Sequence, residues 1–339
     1  MARTHLTLAA LVSSAMAGFN PTSSRNYLCE IHDDVDAAVI VDENNNVVVV
    51  EVPRTVAANE ELRAEARSLE ALTAGVRAFL PFSVPEKIQQ AQLGEVLALI
   101  TSYVPGIPLT TAMLRGQFAL AAHIGAAMGA IHDIPASVIA DASRPTRSAL
   151  DARFHVRDVV ARARATNMLP APLALRWEKA IDNDALWEFE PTVVHGSLTL
   201  DALLVRGDGV AGIIGWHALR IDDPARDLNW LVNAGAPERD EVLRHYSTAR
   251  RSRLDPSLMQ RANLYNEIDV ARWLLHGIER KNRAIVDDAV DMLDHLVGLV
   301  ANDAGDALTD TATPVLNVSQ VRELLEEIPG YRPTGTSSE

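Results

Sequence analysis

The chain has 339 residues, of which 48% are hydrophobic and 5% aromatic, and its formal net charge is −14. This length is enough for one large two-lobed domain or two modest ones, and the composition is that of a soluble globular protein. The negative charge argues against a nucleic-acid partner, because phosphate backbones require clustered lysines and arginines. The single cysteine, Cys29, excludes an internal disulfide framework and a cysteine-based metal site.

The first 17 residues support two interpretations. Arg3, the apolar run 6–12 and the segment Ala15-Met16-Ala17 are similar to a secretory signal with its cleavage site. The same residues also fit an amphipathic helix that Gly18 ends. We expect a helix of the fold and a cytoplasmic protein, with a secreted protein as the alternative. No apolar run approaches the ~18 residues of a membrane-spanning helix, so no membrane partner is expected.

Short β-branched and apolar runs predict strands at 26–31, 37–41 and 47–52, and the DENNN turn makes 37–52 a hairpin. Helical spacing follows over 56–74, an irregular stretch over 80–88, and then a strand ending at Ser102. From about residue 115 the pattern is helical, interrupted by short strands between 192 and 216. We therefore expect an α+β protein with a β-rich lobe containing one helix (1–102), a connector (103–109), a helical lobe (110–328) and a disordered tail (329–339).

Five partial motifs occur in a fixed order along the chain. They are YVPGIPL at 103–109, MGAIHDIP at 128–135, HGS at 195–197, IGW at 214–216 and DPARDL at 223–228. Together they resemble the aminoglycoside phosphotransferase family, the small-molecule branch of the protein-kinase-like fold. In that family the catalytic loop reads H-G-D-x-x-x-x-N and is followed by I-D-W and D-P-x-x-D-L. The resemblance implies a two-lobed kinase-like fold with 103–109 as the hinge.

The catalytic positions that the resemblance implies do not hold the expected residues. Ser197 replaces the aspartate that accepts or orients the substrate hydroxyl proton, and serine has no useful basicity near neutral pH. Ala202 and Gly215 replace the asparagine and aspartate that hold magnesium, which prefers hard oxygen ligands. Glu51 stands where a strand lysine or arginine would contact the phosphates, facing the helix glutamate, which we assign to Glu65. Two like charges there would invert the required electrostatics.

The motif positions that surround these altered residues hold the residues that the family pattern expects. We interpret His195, Asp223 and Asp227 as structural residues, with Asp227 capping the following helix or steadying the catalytic loop. Ser102 and Val104 fall at the hinge, where the resemblance places the nucleotide.

The leading hypothesis is a pseudo-phosphotransferase without cofactor that binds an unknown small molecule or protein. Loss of a general base alone costs about 10²–10⁴ in rate, and loss of both metal ligands should leave little activity. The alternative is an ATP- and magnesium-dependent kinase of aminoglycoside, macrolide or amino-alcohol hydroxyls that uses a displaced carboxylate such as Asp201. A turn aspartate facing solvent is the commoner role for Asp201, and a structural role is the commoner one for His217. The sequence thus leaves open whether the protein is an enzyme.

Overall fold

A computed structural model describes residues 3–27, 34–250, 255–302 and 308. Cys29 and the expected tail at 329–339 lie outside the described residues. The described part divides into a β-rich N-terminal lobe and a mainly helical C-terminal lobe. The expected α+β class and kinase-like organisation are confirmed, whereas the exact lobe boundaries stay a prediction.

The N-terminal lobe is one antiparallel sheet with a helix on each face. Its elements are α1 (His5–Ala15), β1 (Pro21–Asn26), β2 (Val35–Asp42), β3 (Val47–Pro53), α2 (Val56–Ala71), the one-turn α3 (Ala74–Arg77), β4 (Lys87–Leu93) and β5 (Val96–Ser102). The strand order is β1-β2-β3-β5-β4. The central strand is therefore β3, and its antiparallel neighbour β5 leads into the 103–109 connector.

Helix α1 is part of this lobe. The Thr4 hydroxyl accepts a hydrogen bond from the Thr7 N–H and so begins the helix. Leu8 and Val12, both almost fully buried, pack with Ile40 and other sheet residues in one apolar cluster. Helix α1 thus contributes to the apolar core of this lobe.

The hairpin predicted over 37–52 is present as β2 and β3. Asp42 accepts hydrogen bonds from the backbone N–H groups of Asn44 and Asn46, and Asn45 has a φ of 61°. Such a left-handed position suits asparagine, as the sequence suggested.

Two strands were not predicted. β1 precedes the strand expected at 26–31, of which only the start is described, and β4 begins inside the stretch expected to be irregular. Both lie at the edges of the sheet and most of their residues are exposed, so neither has the apolar alternation that reveals a strand.

The C-terminal lobe follows the short β6 (Ile107–Pro108). Its helices are α4 (Thr111–Leu114), α5 (Phe118–His132), α6 (Ala136–Asp141), α7 (Ala149–Ala165), α8 (Ala171–Asp182), α9 (Ala236–Arg250), α10 (Leu258–Glu279) and α11 (Arg283–Asn302), and its strands are β7 (Thr192–Val194), β8 (Leu203–Arg206), β9 (Gly209–Ile213) and β10 (Arg220–Asp222). Strands β6, β8 and β9 form one small sheet, and β7 pairs with β10. Within the described residues, no helix is both long enough and apolar enough to cross a bilayer.

The strands of this lobe place the loops that matter for function. The 195–199 loop follows β7 and leads into a 3₁₀ turn at Leu200–Ala202, and the 214–218 segment follows β9 and contains a second 3₁₀ turn at Trp216–Ala218. A longer 3₁₀ segment, Pro224–Asn233, follows β10. The three motif segments HGS, IGW and DPARDL are thus brought side by side by two small sheets.

Candidate functional site

The 195–197 loop is held by one buried carboxylate. Asp227 accepts hydrogen bonds from the backbone N–H of His195 at 2.7 Å and of Gly196 at 2.8 Å. Its Oδ2 atom also lies 3.1 Å from Nε2 of His132. Burial by itself raises the pKa of Asp227, but the hydrogen bond and charge of His132 and the other donors hold it below its ordinary value. Asp227 therefore stays ionised and fixes the loop.

Gly196 is required by the way this loop turns. Its φ is +85°, and a Cβ atom would lie 2.4 Å from the carbonyl oxygen of Ala218. The preceding His195 is fully buried, with its ring edge against Trp216 at a centroid distance of 4.6 Å and Nε2 3.0 Å from the Ile214 carbonyl oxygen. His195 thus fastens the loop to the 214–216 segment.

The structure brings together the three positions at which the motif lost its carboxylates and amide. The Ser197 hydroxyl donates a hydrogen bond of 3.4 Å to the Gly215 carbonyl oxygen. The Ala202 carbonyl oxygen accepts a hydrogen bond from the N–H of Ile214, and its side chain is buried. These positions therefore form one site, and their side chains supply a single hydroxyl between them.

Glu65 holds the segment that begins at Gly215. That glycine has a left-handed backbone, with φ 80° and ψ 45°, and it precedes the 3₁₀ turn. The Glu65 carboxylate accepts hydrogen bonds from the backbone N–H groups of Trp216, His217 and Gly215. Nδ1 of His217 lies 4.0 Å from Glu65 Oε2. A carboxylate from α2 thus caps the turn that, in the family pattern, would carry a metal ligand.

Glu51 and Glu65 share the cleft between the lobes. Glu51 projects from β3 and Glu65 from α2, and both line a cavity of about 60 Å³ that also contacts Ser102, Val104 and Gly215. Burial raises the pKa of Glu51 to about 7. Burial and the charge of Glu51 raise the pKa of Glu65 to about 8, against the effect of its three N–H donors. Among the described residues that line this cavity, the two glutamates are the only charged ones.

The hinge positions are occupied by structural contacts. The Ser102 hydroxyl accepts a hydrogen bond of 2.8 Å from the N–H of Glu86. Val104 is buried and packs with Leu204 and Ile214. Both residues border the cleft, but neither brings a charged group to it.

The chain can be compared with known proteins at the level of its family and its fold. The family model "Phosphotransferase enzyme family" (APH) matches residues 28–263. The chain belongs to this family. The resemblance inferred from the partial motifs is thereby confirmed.

Solved phosphotransferases have the same fold. The macrolide 2'-phosphotransferase MphH from Brachybacterium faecium is 22% identical with a TM-score of 0.72, over 84% of this chain and 97% of that one. A type I macrolide 2'-phosphotransferase is 23% identical with a TM-score of 0.70, over 86% and 98%. The GDP complex of aminoglycoside 2'-phosphotransferase-IIIa is 16% identical with a TM-score of 0.72, over 86% and 98%. At these identities the likeness shows the fold alone.

One further relative matches only a short part of the chain. The uncharacterized protein YcbJ of Bacillus subtilis (strain 168) is 32% identical over 76 residues. That match spans 22% of this chain and only a quarter of the relative's length.

Asp201, the displaced carboxylate considered in the sequence analysis, is next to Ala202. Asp201 sits on the 3₁₀ turn Leu200–Ala202 and is half-buried, but it does not line the interlobe cavity. Within the described ranges, no group of three or more His, Cys, Asp or Glu residues is arranged to hold a metal ion. The residues present at the family's metal positions, Ala202 and Gly215, offer no side-chain oxygen, so they do not fit magnesium.

Asp223 is fully buried and belongs to a polar cluster. It accepts hydrogen bonds from Arg261 Nε at 2.7 Å, from the Tyr265 hydroxyl at 2.9 Å and from the Ala225 N–H at 2.9 Å. It therefore begins the 3₁₀ segment Pro224–Asn233 and ties it to α10.

The sequence analysis missed two arginines that border a cavity next to the 195–199 loop. Arg226, from the 3₁₀ segment, and Arg272, from α10, border a cavity of about 240 Å³ together with Ser197 and Thr199. Arg226 lies inside the DPARDL motif, which was the one available signal. The position of Arg272 beside it depends on the packing of α10 and could not be read from sequence spacing.

Proposed function

We propose that this member of the phosphotransferase family binds a small molecule or a protein and does not transfer phosphoryl groups. The observation that carries the proposal is the Glu51–Glu65 pair in the interlobe cleft, where no cation lines the wall among the described residues. In active relatives of this fold, as the resemblance implies, a cation at the position of Glu51 would contact the nucleotide phosphates. Nucleic acid, membrane and cofactor are not part of the proposal.

The charge of the cleft opposes a nucleotide. With pKa values raised to about 7 and about 8, the two carboxyls hold at least one proton between them at neutral pH and carry about one negative charge. A triphosphate would bring several more. Two unit charges 4 Å apart interact by about 4 kcal/mol at the effective dielectric near a protein surface, and here the sign is repulsive.

The size of the cleft also argues against a bound nucleotide. Its cavity of about 60 Å³ lies well below the ~300–1,000 Å³ of typical small-molecule sites. A nucleotide would have to open the lobes and bring its phosphates against Glu51 and Glu65.

The segment that should carry a metal is stabilised without one. Glu65 accepts the N–H groups of residues 215–217, and the Ser197 hydroxyl donates to the Gly215 carbonyl. These contacts satisfy the polar backbone of the turn within the protein itself. Magnesium, with no side-chain oxygen from Ala202 or Gly215, would compete with them and gain little.

Nucleotide turnover is the direct test. The purified chain is incubated with Mg-ATP or Mg-GTP and a panel of macrolides, aminoglycosides and amino alcohols, and nucleoside diphosphate release is measured. We expect no release above a matched sample with the Asp201→Ala substitution, and no nucleotide-dependent rise in melting temperature. Metal-dependent turnover that Asp201→Ala abolishes would establish the displaced-carboxylate kinase instead.

A charge-reversal variant tests the reason for the loss. Glu51→Lys places a cation beside Glu65, and we expect it to allow measurable nucleotide binding by calorimetry while turnover stays absent. Glu60→Lys, at an exposed site on α2, is the matched control because it changes the net charge by the same amount outside the cleft.

We also infer that the protein acts in the cytoplasm, because α1 contributes Leu8 and Val12 to the core of the N-terminal lobe. Mass spectrometry of the protein purified from its natural host tests this. An intact residue 5–15 segment supports the inference, and a chain beginning after Ala17 contradicts it.

A further inference from the structure

A second cavity borders the catalytic loop and shares no described lining residue with the interlobe cleft. It has a volume of about 240 Å³ and is bordered by the loop residues 196–199, by Arg226, and by Asp269 and Arg272 of α10. Ser197 lines this cavity and donates its hydroxyl hydrogen to the carbonyl oxygen of Gly215, a residue that lines the cleft.

Two arginines of this cavity have unused donors. The Nη2 atoms of Arg226 and Arg272 are buried, and neither has a hydrogen-bond partner among the residues that the structure describes. The Arg226 side chain is 7% exposed, so more than nine-tenths of it is removed from water. Its guanidinium stacks on the Tyr265 ring with its carbon 4.4 Å from the centroid, which fixes its orientation. A buried guanidinium N–H normally has an acceptor, so its absence marks a place where one is expected.

Three arginines surround a buried carboxylate next to this cavity. The fully buried Asp222 places its Oδ2 atom 3.2 Å from Arg147, 2.8 Å from Arg220 and 3.0 Å from Arg226. Three guanidiniums thus share this one carboxylate. Burial alone would lower the pKa of Arg226, but Tyr265 and the carboxylates of Asp222, Asp223 and Asp269 raise it, so Arg226 stays charged.

Arg272 adds a fourth guanidinium that is only partly neutralised. Its Nη1 atom donates to Asp269 Oδ1 at 2.6 Å, and the Asn229 amide donates to the other oxygen of that carboxylate at 2.8 Å. Burial lowers the pKa of the neighbouring His155 to about 4, and the charges of Arg272, Arg147 and Arg226 act in the same direction. It is therefore neutral at physiological pH and does not compete for an anion.

We propose that the cavity beside the catalytic loop, bordered by Arg226 and Arg272, binds the phosphate or carboxylate group of a small anionic ligand. The planar guanidinium matches such oxyanions because it can donate two parallel hydrogen bonds. This inference deepens the proposed binding function by naming the ligand class, and it concerns a cavity that the nucleotide would not occupy. A cationic aminoglycoside would be repelled from the same cavity.

The experiment measures the binding of inorganic phosphate and of succinate by calorimetry, in a phosphate- and sulfate-free buffer at constant ionic strength. We expect at least one of the two anions to bind saturably at millimolar concentration or below. The arm that binds more tightly distinguishes a phosphate ligand from a carboxylate one. Absence of binding by both anions overturns the inference.

Substitutions with opposite expected effects separate binding from folding. Arg272→Gln should weaken the anion about tenfold or more, since it removes a charge-assisted donor. Thr199→Asp, at an exposed residue of the same cavity, should also weaken it through like-charge repulsion. Asp269→Asn should tighten binding several-fold, because it removes the competing carboxylate from Arg272.

Arg244→Gln is the matched control. Arg244 lies on α9, is largely exposed and pairs with Glu241 away from the cavity, so its loss should leave anion binding unchanged. Equal effects of Arg244→Gln and Arg272→Gln would show a nonspecific charge effect and overturn the site. Because no step involves nucleotide, turnover in the earlier assay would refute the pseudoenzyme proposal without touching this one.

Discussion

Replacing Glu51 with glutamine tests the electrostatic description of the cleft. In the folded protein burial raises the pKa of Glu51 to about 7, and burial with the charge of Glu51 raises the pKa of Glu65 to about 8. Both values lie above the ordinary 4.5. The folded state therefore keeps protons that the unfolded chain has released. The stability associated with these carboxyls is fully present below about pH 4.5 and is lost as the pH rises through 7 and 8.

The magnitude follows from the size of the shift. Each pKa unit corresponds to about 1.4 kcal/mol, so the rise of Glu51 from 4.5 to about 7 amounts to about 3 kcal/mol. Because Glu51 is half-buried, solvent reduces this burial penalty, and we expect about 2 kcal/mol in practice. Glu51→Gln should thus gain about 2 kcal/mol over the wild type at high pH and little at low pH.

The assay is thermal unfolding between about pH 5 and about pH 9, where the other carboxyls stay ionised. The wild type should lose stability across this range, and Glu51→Gln should lose less, with a melting-temperature advantage of a few degrees at the upper end. Glu60→Gln, at an exposed residue of α2, should follow the wild-type curve. A Glu51→Gln curve parallel to the wild type, or below it at high pH, would refute the repulsion between the two glutamates.

Three further substitutions test the frame around the site, each by thermal or urea unfolding. Asp227→Ala should cost at least about 3 kcal/mol, because it leaves the buried N–H of His195 without its acceptor; a surface-like cost below 1 kcal/mol would contradict its role. Gly125→Ala should destabilise by about 1–3 kcal/mol, since its Cβ would lie 2.2 Å from the Val242 carbonyl oxygen, whereas Gly298→Ala, with open space around its Cβ, should be neutral or stabilising. Leu8→Ala should cost about 2–5 kcal/mol if α1 belongs to the folded lobe, and nothing if it does not.

The motif-bearing part of the site was accessible to sequence analysis because its contacts are encoded locally. The HGS, IGW and DPARDL segments each sit at the end of a short strand, so their order along the chain already fixed their neighbourhood. The missing carboxylates at positions 197 and 215 could be named from the same alignment of letters. Their closeness, through the hydrogen bond between Ser197 and Gly215, follows from the two strands that precede them.

The part that the sequence did not reveal depends on long-range pairing. Asp222 meets Arg147 across 75 positions, and Arg261 meets Asp223 across 38. No periodicity relates such residues. The first contact arises when residues 145–147 pair beside β10, and the second when α10 packs on the 3₁₀ segment. The edge strands β1 and β4 were missed for a different reason, since their polar residues carry no core-facing pattern.

The two cavities differ in electrostatic character. In the interlobe cleft, burial raises the pKa of Glu51, and burial with the charge of Glu51 raises the pKa of Glu65. In the cavity bordered by the 196–199 loop, the buried Nη2 atoms of Arg226 and Arg272 have no acceptor among the described residues.

Each of these arrangements costs free energy in the ligand-free fold. A ligand that relieves such a cost gains affinity by the same amount, so the cavity with unused donors is where binding energy is available. The cleft with two carboxyls gains instead from a proton or a cation. If both proposals hold, the cavity bordered by Arg226 and Arg272 favours an anion, while the cleft with Glu51 and Glu65 disfavours nucleotide phosphates. Such opposite preferences would give a binding protein a source of specificity.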